Sequence, residues 1–506
     1  MAESEVLVMN VLLLEHPRNI SPERCNDIAN TPLSSSLITG SIAGLLTREG
    51  HQVHMVEGYL DRLSYGEIQD ELEKIRPEIL GIHMVYGWEN NRELFAFLET
   101  LRSQGLGPLI VVYGFYPTFA YAEIFRDCPA IDAVLVGEPE LTFSELAAGG
   151  WQHFRSGEVP GMAWRDDSGK PQMLRRRILA NLDSLPYPLR SPAMLRMQEV
   201  NIEGSRGCYG GCTFCYINPY YGQCSRWRGR SPENICREID QVMEIWGKKE
   251  FYFTDPNFFG PGQRGQERAI AIARLLNPKN IRFGIEARVN DIHEDSFSAL
   301  VDAGLRDILI GLESGRNESL QRLNKMTTVA QNEEALKIIR RSGIEPNVGF
   351  IMFEPDASLE DIRINFDFLY RNDLLKELSI TANVLYHPQI ILQGTTAYRK
   401  MQEEGRLVLA ATTYEGSASF NDPKVGMLAN LTGRITNHLF IKMDRIWSGQ
   451  VEETAAIREK YRALNRILIK YFTDALEVLQ SDQSFALTDM EEMVSQAKEE
   501  INFLAP

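Results

Sequence analysis

The stretch "GSRGCYGGCTFCYINPYYG", residues 204–222, places Cys208, Cys212 and Cys215, three of the chain's seven cysteines, within eight positions. The spacing is C-x3-C-x2-C, and the run follows directly on the apolar segment "EVNIEG" (199–204). Iron–sulfur clusters are held by cysteine thiolates, normally four for a 4Fe–4S cube, so three thiolates leave one iron open to an external ligand. A structural zinc ion needs a fourth protein ligand. No histidine or paired cysteine follows at zinc-finger spacing, and Cys224 and Cys236 come too late to fit a usual template. A zinc site completed by a distant segment is the alternative.

Outward from this stretch the chain alternates strand and helix patterns. "EVNIEG", "EFYFTD" (250–255), "IRFGIEA" (281–287), "DILIGLE" (307–313), "NVGFIMFE" (347–354) and "ELSITANVLY" (377–386) are six strand candidates. Amphipathic segments such as "ENICREIDQVMEIW" separate them. Six strand–helix units make an incomplete eight-unit barrel, with catalytic groups expected after the strand C-termini. Upstream, "VLVMNVLLL" (6–14), "HQVHMVE" (51–57), "ILGIHMVY" (79–86), "LIVVYG" (109–114) and "DAVLVGE" (132–138) read as buried parallel strands. They predict a doubly wound unit with its ligand crevice at the carboxyl ends of the strands.

The predicted class is therefore α/β. A Rossmann-like domain covers 1–150, and a linker with a hairpin at "RDDSGKPQ" covers 151–195. A partial (β/α)6 TIM-type barrel covers 196–400, and a mostly helical region 401–506. Composition agrees with folded domains, at 44% hydrophobic and 24% charged residues. A net charge of -16 argues against a nucleic-acid partner, which would require a basic face. No apolar run reaches the ~18 residues of a membrane span. The acidic start "MAESEVLVMN" lacks the basic segment of a signal peptide, so a cytoplasmic location is expected. Sparse cysteines with one tight cluster fit a reducing compartment.

With strand and spacing in place, "CYGGCTFC" resembles the cluster motif of the radical S-adenosylmethionine (SAM) superfamily. The resemblance implies that Cys208, Cys212 and Cys215 bind a 4Fe–4S cluster whose open iron chelates SAM. Reductive cleavage would then release a 5′-deoxyadenosyl radical that abstracts a substrate hydrogen. Later strand ends resemble the family's SAM contacts: "FTDPNF" (253–258), "GIEARVN" (284–290), "GLESG" (311–315) and "GFIMFEPD" (349–356). Candidate SAM residues are Phe214, Thr254, Asp255, Glu286, Arg288, Ser314 and Phe350. Barrel filling is the alternative for each of them, and for Glu313. Tyr216, Asp255 and Glu286 are the catalytic candidates, Tyr216 because a phenol beside the cleavage site could donate a proton or hydrogen.

Residues 111–146 resemble the second half of the cobalamin-binding domain that precedes the barrel in one subclass. Where relatives commonly carry a Gly-Gly pair, this chain has "YGFYP", with Tyr113, Phe115 and Tyr116 around Gly114. Aromatics of that size are expected to fill the cofactor slot, leaving a domain that keeps the fold and loses cobalamin.

Two reactions follow from the resemblance. One is diol dehydration of a polyol or amino sugar, as in aminoglycoside antibiotic biosynthesis, with Asp255, Glu286 and Glu354 suiting a polycationic substrate. The alternative is a cobalamin-dependent C-methyltransferase on a natural product. A non-catalytic cluster protein is a third reading. Expected partners are a small-molecule substrate, an external electron donor and a reductase for the product, with no nucleic acid or membrane.

Overall fold

The computed structural model describes residues 8–18, 32–85, 91–176, 178–222, 227–409, 415–447, 451–481 and 487–505. Cys224 lies outside the described residues. Five apolar runs of the first domain form parallel strands: β1 Asn10–Glu15, β2 Gln52–Glu57, β3 Ile79–His83, β4 Leu109–Tyr113 and β5 Ala133–Leu135. Every residue of β3 and β4 is buried, which explains their unbroken hydrophobic sequence: helices cover a parallel sheet on both faces. The hairpin at "RDDSGKPQ" supplies β6 Met162–Arg165 and β7 Pro171–Met173, which extend the same sheet antiparallel to order β2-β1-β3-β4-β5-β6-β7. The chain reverses its direction of winding between β1 and β3, so the crevice opens at their carboxyl ends.

The second unit starts with β8 Val200–Ile202. β9 Ser205–Arg206 and β10 Arg228–Gly229 then pair antiparallel and bracket the cysteine loop. β11 Glu250–Phe253, β12 Arg282–Arg288, β13 Leu305–Glu313 and β14 Asn347–Phe350 complete a parallel sheet of order β14-β13-β12-β11-β8. Helix Pro232–Trp246, which returns the chain from the cysteine loop to β11, shows how the crossovers are punctuated. Ser231 caps its first turn and Gly247 ends it in the left-handed conformation.

The stretch "ELSITANVLY" departs from expectation. It is helix Leu378–Val384, and the sixth position of the barrel is marked by a single parallel bridge from Phe353 to Pro388. Its β-branched residues suggested a strand, yet Leu378, Thr381, Ala382 and Leu385 recur at helical spacing. All four are buried on the face packed against helix Ala455–Gln480.

A small antiparallel sheet follows, with β15 Ile391–Leu392, β16 Leu407–Leu409 and β17 Glu415–Ala418 in order β15-β17-β16. Helices Pro423–Trp447, Ala455–Gln480 and Leu487–Leu504 close the chain and share the barrel's hydrophobic core. The two α/β units meet through another core, in which Ile82, Val112 and Tyr116 pack with Tyr216, Ile217 and Tyr220 of the cysteine loop.

Candidate active site

A cavity of about 370 Å³ lies where the carboxyl ends of both sheets face each other. Leu37, Ile38, Phe115 and Glu138 line it from the first domain, and Cys208, Cys212 and Cys215 from the second. Of the other residues expected at the site, Phe214, Tyr216, Thr254, Glu286, Arg288 and Phe350 also line it.

The cysteine loop is held from three sides. Thr213 N donates to Leu323 O at 2.9 Å, Ala397 N donates to Thr213 O at 2.9 Å, and Asn324 Nδ2 donates to Gly211 O at 2.6 Å. Gly210 N donates to Cys208 Sγ at 3.3 Å, and Arg288 Nη1 lies 3.6 Å from Cys212 Sγ. A Cβ on Gly210 would stand 2.2 Å from Arg288 Nη1, so glycine is what admits the guanidinium to the loop. Arg288 Nη2 donates to Lys325 O, and its guanidinium carbon stands 5.3 Å from the centre of the Tyr209 ring.

These thiols fit an iron–sulfur cluster. They share one wall, with backbone N–H and cationic donors on the sulfurs, as a cluster of negative sulfurs needs. Among the described residues no trio of His, Cys, Asp or Glu side chains converges on a single metal ion. Burial pushes the Cys215 thiol up to about 12 in the metal-free chain.

Two expected residues are turned away from the cavity. Asp255 is wholly buried and accepts from Gly204 N at 2.6 Å and Ser205 Oγ at 2.9 Å, bracing the strand end ahead of the cysteine loop. Burial raises its carboxyl to about 6, with Arg268 opposing. Ser314 Oγ donates to Asn365 Oδ1 at 2.7 Å and caps the local turn. Glu286 does face the cavity. Burial lifts its carboxyl to about 7, while the Tyr252 hydroxyl donates to Oε1 at 3.3 Å. Glu354 is bound to Arg322 rather than presented to a substrate.

Several cavity residues carry no motif in the sequence. Lys325 Nζ pairs with Glu313 Oε1 at 2.7 Å, both nearly buried, and Glu313 holds a left-handed φ of 62° to make that reach. Across the cavity Arg206 joins Glu138 (2.9 Å), Glu140 (2.6 Å) and Glu203 (2.8 Å), and Arg228 adds a contact to Glu138 at 3.0 Å. This buried ionic cluster ties the first domain to the strand that leads into Cys208. The signal for it was "GEPE" (137–140) opposite "SRG" (205–207), legible only once the two domains are juxtaposed.

The aromatics of "YGFYP" do not fill the cavity. Tyr113 turns into the core under the first helix and its hydroxyl lies 2.9 Å from Thr39 Oγ1; Tyr116 is buried on the opposite face of the sheet. Phe115 alone reaches the cavity wall, with ring centroids 4.8 Å from both Tyr216 and Tyr220. Gly114, with φ 134°, fits against Met84 O where a Cβ would stand at 2.2 Å. The first domain's side of the cavity is thus lined by Leu37, Ile38 and Phe115 beside the carboxylates Glu138 and Glu140.

Residues 202–369 match the family model of the radical SAM superfamily. This chain carries a radical SAM domain. Such a domain implies a 4Fe–4S cluster and SAM, the equipment of a radical SAM enzyme. An uncharacterized methyltransferase of Pyrococcus horikoshii is 26% identical over 377 residues, spanning 72% of this chain and 79% of that protein. The 4′-phospho-dehydrooxetanocin synthase of Priestia megaterium is 27% identical over 391 residues, 70% of this chain, which spans only 51% of that longer protein. Among solved structures, the cobalamin-dependent SAM radical enzyme OxsB, with aqua-cobalamin and SAM bound, superposes with TM-score 0.78 at 22% identity. That match covers 99% of this chain and 80% of OxsB, and it shows that the whole architecture, both domains included, is shared.

The comparisons overturn the diol-dehydration reading and its aminoglycoside substrate. Several relatives are named as methyl-transferring enzymes, none as a dehydratase among those compared: the Pyrococcus protein is one, and the hopanoid C-3 methylase of Methylococcus capsulatus, 25% identical over 66% of this chain and 63% of its own length, is another. Among the described residues no helix is long and apolar enough to cross a membrane.

Proposed function

We propose that this chain is a cobalamin-dependent radical SAM C-methyltransferase acting on a small-molecule natural product, fed by an external electron donor. The carrying observation is that one cavity has the cluster cysteines on one wall and first-domain residues on the other, Leu37 and Ile38 of helix Pro32–Arg48 and Phe115 just past β4. A methyl donor held on the first domain and a radical generated on the second would then face a common substrate. Relatives named as methyltransferases and a cobalamin-bound enzyme of the same architecture support it.

Cys208, Cys212 and Cys215 would hold the cluster, and Thr254, Glu286, Arg288 and Phe350 surround the space for SAM. Cluster and cobalamin, when bound, supply respectively the electron that splits SAM and the methyl group to be transferred. The protein's part is positional. Arg288 places positive charge at Cys212. The Lys325–Glu313 pair fills the floor with a neutralised ion pair, so no net charge is left buried there. Phe115, Tyr216 and Tyr220 form an aromatic wall that keeps water from a radical at a substrate carbon.

Anaerobic reconstitution with iron, sulfide and hydroxocobalamin tests the reading. Expected are near-stoichiometric cobalamin retained through gel filtration and substrate-dependent methyl product from candidate extracts, matched by S-adenosylhomocysteine and 5′-deoxyadenosine. Cleavage of SAM by a protein that retains no cobalamin would overturn it.

A further inference from the structure

We infer that Asn383, His387 and Gln389 form the wall of the cavity that recognises the substrate, and that they select an uncharged, hydroxyl-bearing group over a phosphate or carboxylate. The inference rests on the methyl-transfer reading and names the substrate class of that same cavity.

The three residues belong to the segment that leads from the end of helix Leu378–Val384 into the sixth barrel position. Its course is set by the backbone. His387 N donates to Asn383 O at 3.0 Å, which closes one helical turn and puts both side chains on one side. Met352 N and Phe353 N donate to His387 O at 3.1 and 3.2 Å, and Gln389 N donates to Phe353 O at 2.8 Å. Across this extended stretch His387 and Gln389 face the same way, and both line the cavity, whereas Pro388 between them does not. The back of the segment is packed, with Leu385 in the barrel core and Tyr386 over Gly433, where a Cβ would stand 2.6 Å from the ring. Beyond Gln389 the chain crosses to the first domain. Gln393 Nε2 donates to Glu123 Oε1 at 3.1 Å, and Gly394 lies against Phe119 of helix Pro117–Asp127. The wall therefore runs between the barrel that holds the cysteines and the domain that would carry the methyl donor, and a substrate must reach both.

None of these three side chains makes a hydrogen bond to the protein among the described residues. The charged groups of the lining, by contrast, are taken. Arg206 is held by Glu138, Glu140 and Glu203, Lys325 by Glu313, and Arg288 by Lys325 O and Cys212. Among the described residues no cation of the lining is left for an anionic substrate, and an unpaired buried anion is costly. His387 does not supply one either. Burial holds its imidazole below the usual range, with the Glu313 carboxylate opposing, so the neutral ring offers one donor and one acceptor. The amides of Asn383 and Gln389 also offer both. A hydroxyl, which donates and accepts, matches what this wall provides.

The experiment splits a small-molecule extract on an anion-exchange resin into a retained, anionic pool and a flow-through pool, and offers each to the reconstituted holoenzyme with SAM labelled in its methyl group. Label is expected to enter the flow-through pool. With that pool limiting, His387→Ala and Gln389→Leu should each lower the rate of label transfer about tenfold, as the loss of one hydrogen bond to the substrate does. The deficit should shrink as the pool is raised, a change in KM more than in kcat. Binding of SAM, read by equilibrium dialysis, and 5′-deoxyadenosine formed without extract should stay within about twofold. His387→Gln, which keeps a donor and an acceptor, should recover most of the rate, and a ring that served only to pack would not allow that. Label confined to the retained pool, or unchanged rates in both variants, overturns the assignment. So does a loss of SAM binding equal to the loss of rate, which would place His387 on SAM instead. No label from either pool while SAM is still cleaved would overturn the methyl-transfer reading, and this assignment with it.

Discussion

Arg288 Nη1 stands 3.6 Å from Cys212 Sγ, the one side-chain cation that touches a cluster cysteine among the described residues. Its placement depends on β12 ending at the carboxyl edge of the barrel and on Gly210 leaving room for it. A positive charge beside a thiolate favours the more negative, reduced form of a cluster. Arg288→Ala is therefore expected to lower the midpoint potential by tens of millivolts and to slow SAM cleavage with a weak donor more than with a strong one. Arg288→Lys should restore most of the potential but not the contact to Lys325 O, since a point ammonium cannot serve both partners. An EPR-monitored redox titration reads the shift; an unchanged potential in the alanine variant would rule out the electrostatic role.

Gly210→Ala tests the same contact from the other side. The new Cβ would meet Arg288 Nη1 at 2.2 Å, and that nitrogen belongs to a guanidinium already held by Cys212 and Lys325. The expected result is a folded protein with normal thermal unfolding, a lower iron content after reconstitution, and a potential displaced in the same direction as in Arg288→Ala. Full iron loading with an unchanged potential would show that the loop simply shifts to accommodate the methyl group.

Arg206 is the hub of a buried ionic cluster between the domains, with side chains of Arg206, Glu138 and Glu140 all at most 8% exposed. Removing the cation takes from Glu140 and Glu203 the ion pair each makes with it, while Arg228 still holds Glu138, and breaking such a pair from one side costs about 3–5 kcal/mol. Arg206→Ala should lower Tm sharply. The triple variant that also carries Glu140→Gln and Glu203→Gln should recover a substantial part of that loss, because the uncompensated charges go with it while Arg228 keeps Glu138. Calorimetry on the three proteins decides; no recovery in the triple variant would assign the loss to packing alone.

How much of this could be read from the chain alone varies with the type of signal. The strands of both units were legible because parallel strands covered on both faces are nearly unbroken apolar runs, as in β3 and β4. The cysteine loop, Phe214 within it, was legible from spacing, and the cavity positions of Thr254, Glu286, Arg288 and Phe350 from their places at strand ends. Asp255 looked equally suitable, but a strand-end carboxylate can turn back to brace the preceding loop, and the sequence does not say which way it points. Lys325 and Arg206 were missed because their partners lie 12 and 66 to 68 residues away and meet them only through the fold. The helix at Leu378–Val384 was misread because β-branched residues outweighed a helical period only two turns long. The aromatics of "YGFYP" part company because successive residues leaving a strand go to different faces, and only Phe115 goes to the cavity.

Glu286 gives a stability signature in pH. Its carboxyl is raised from 4.5 to about 7, first by burial and then by Asp255, with the Tyr252 hydroxyl partly opposing. Between those two values the folded protein holds a proton that the unfolded chain has released. Stability therefore falls as pH rises through that window and is lowest above it. A shift of that size corresponds to roughly 3 kcal/mol between pH 4 and pH 8. Glu286→Gln, uncharged throughout, should remove this slope and make the metal-free protein more stable than wild type at pH 8 while leaving the two nearly equal near pH 4.5. Urea unfolding at several pH values measures it. Parallel pH profiles for the two proteins would mean that water or a conformational adjustment already solvates the Glu286 carboxylate, despite the apolar neighbours Ala287, Leu309 and Val348 in the cavity lining.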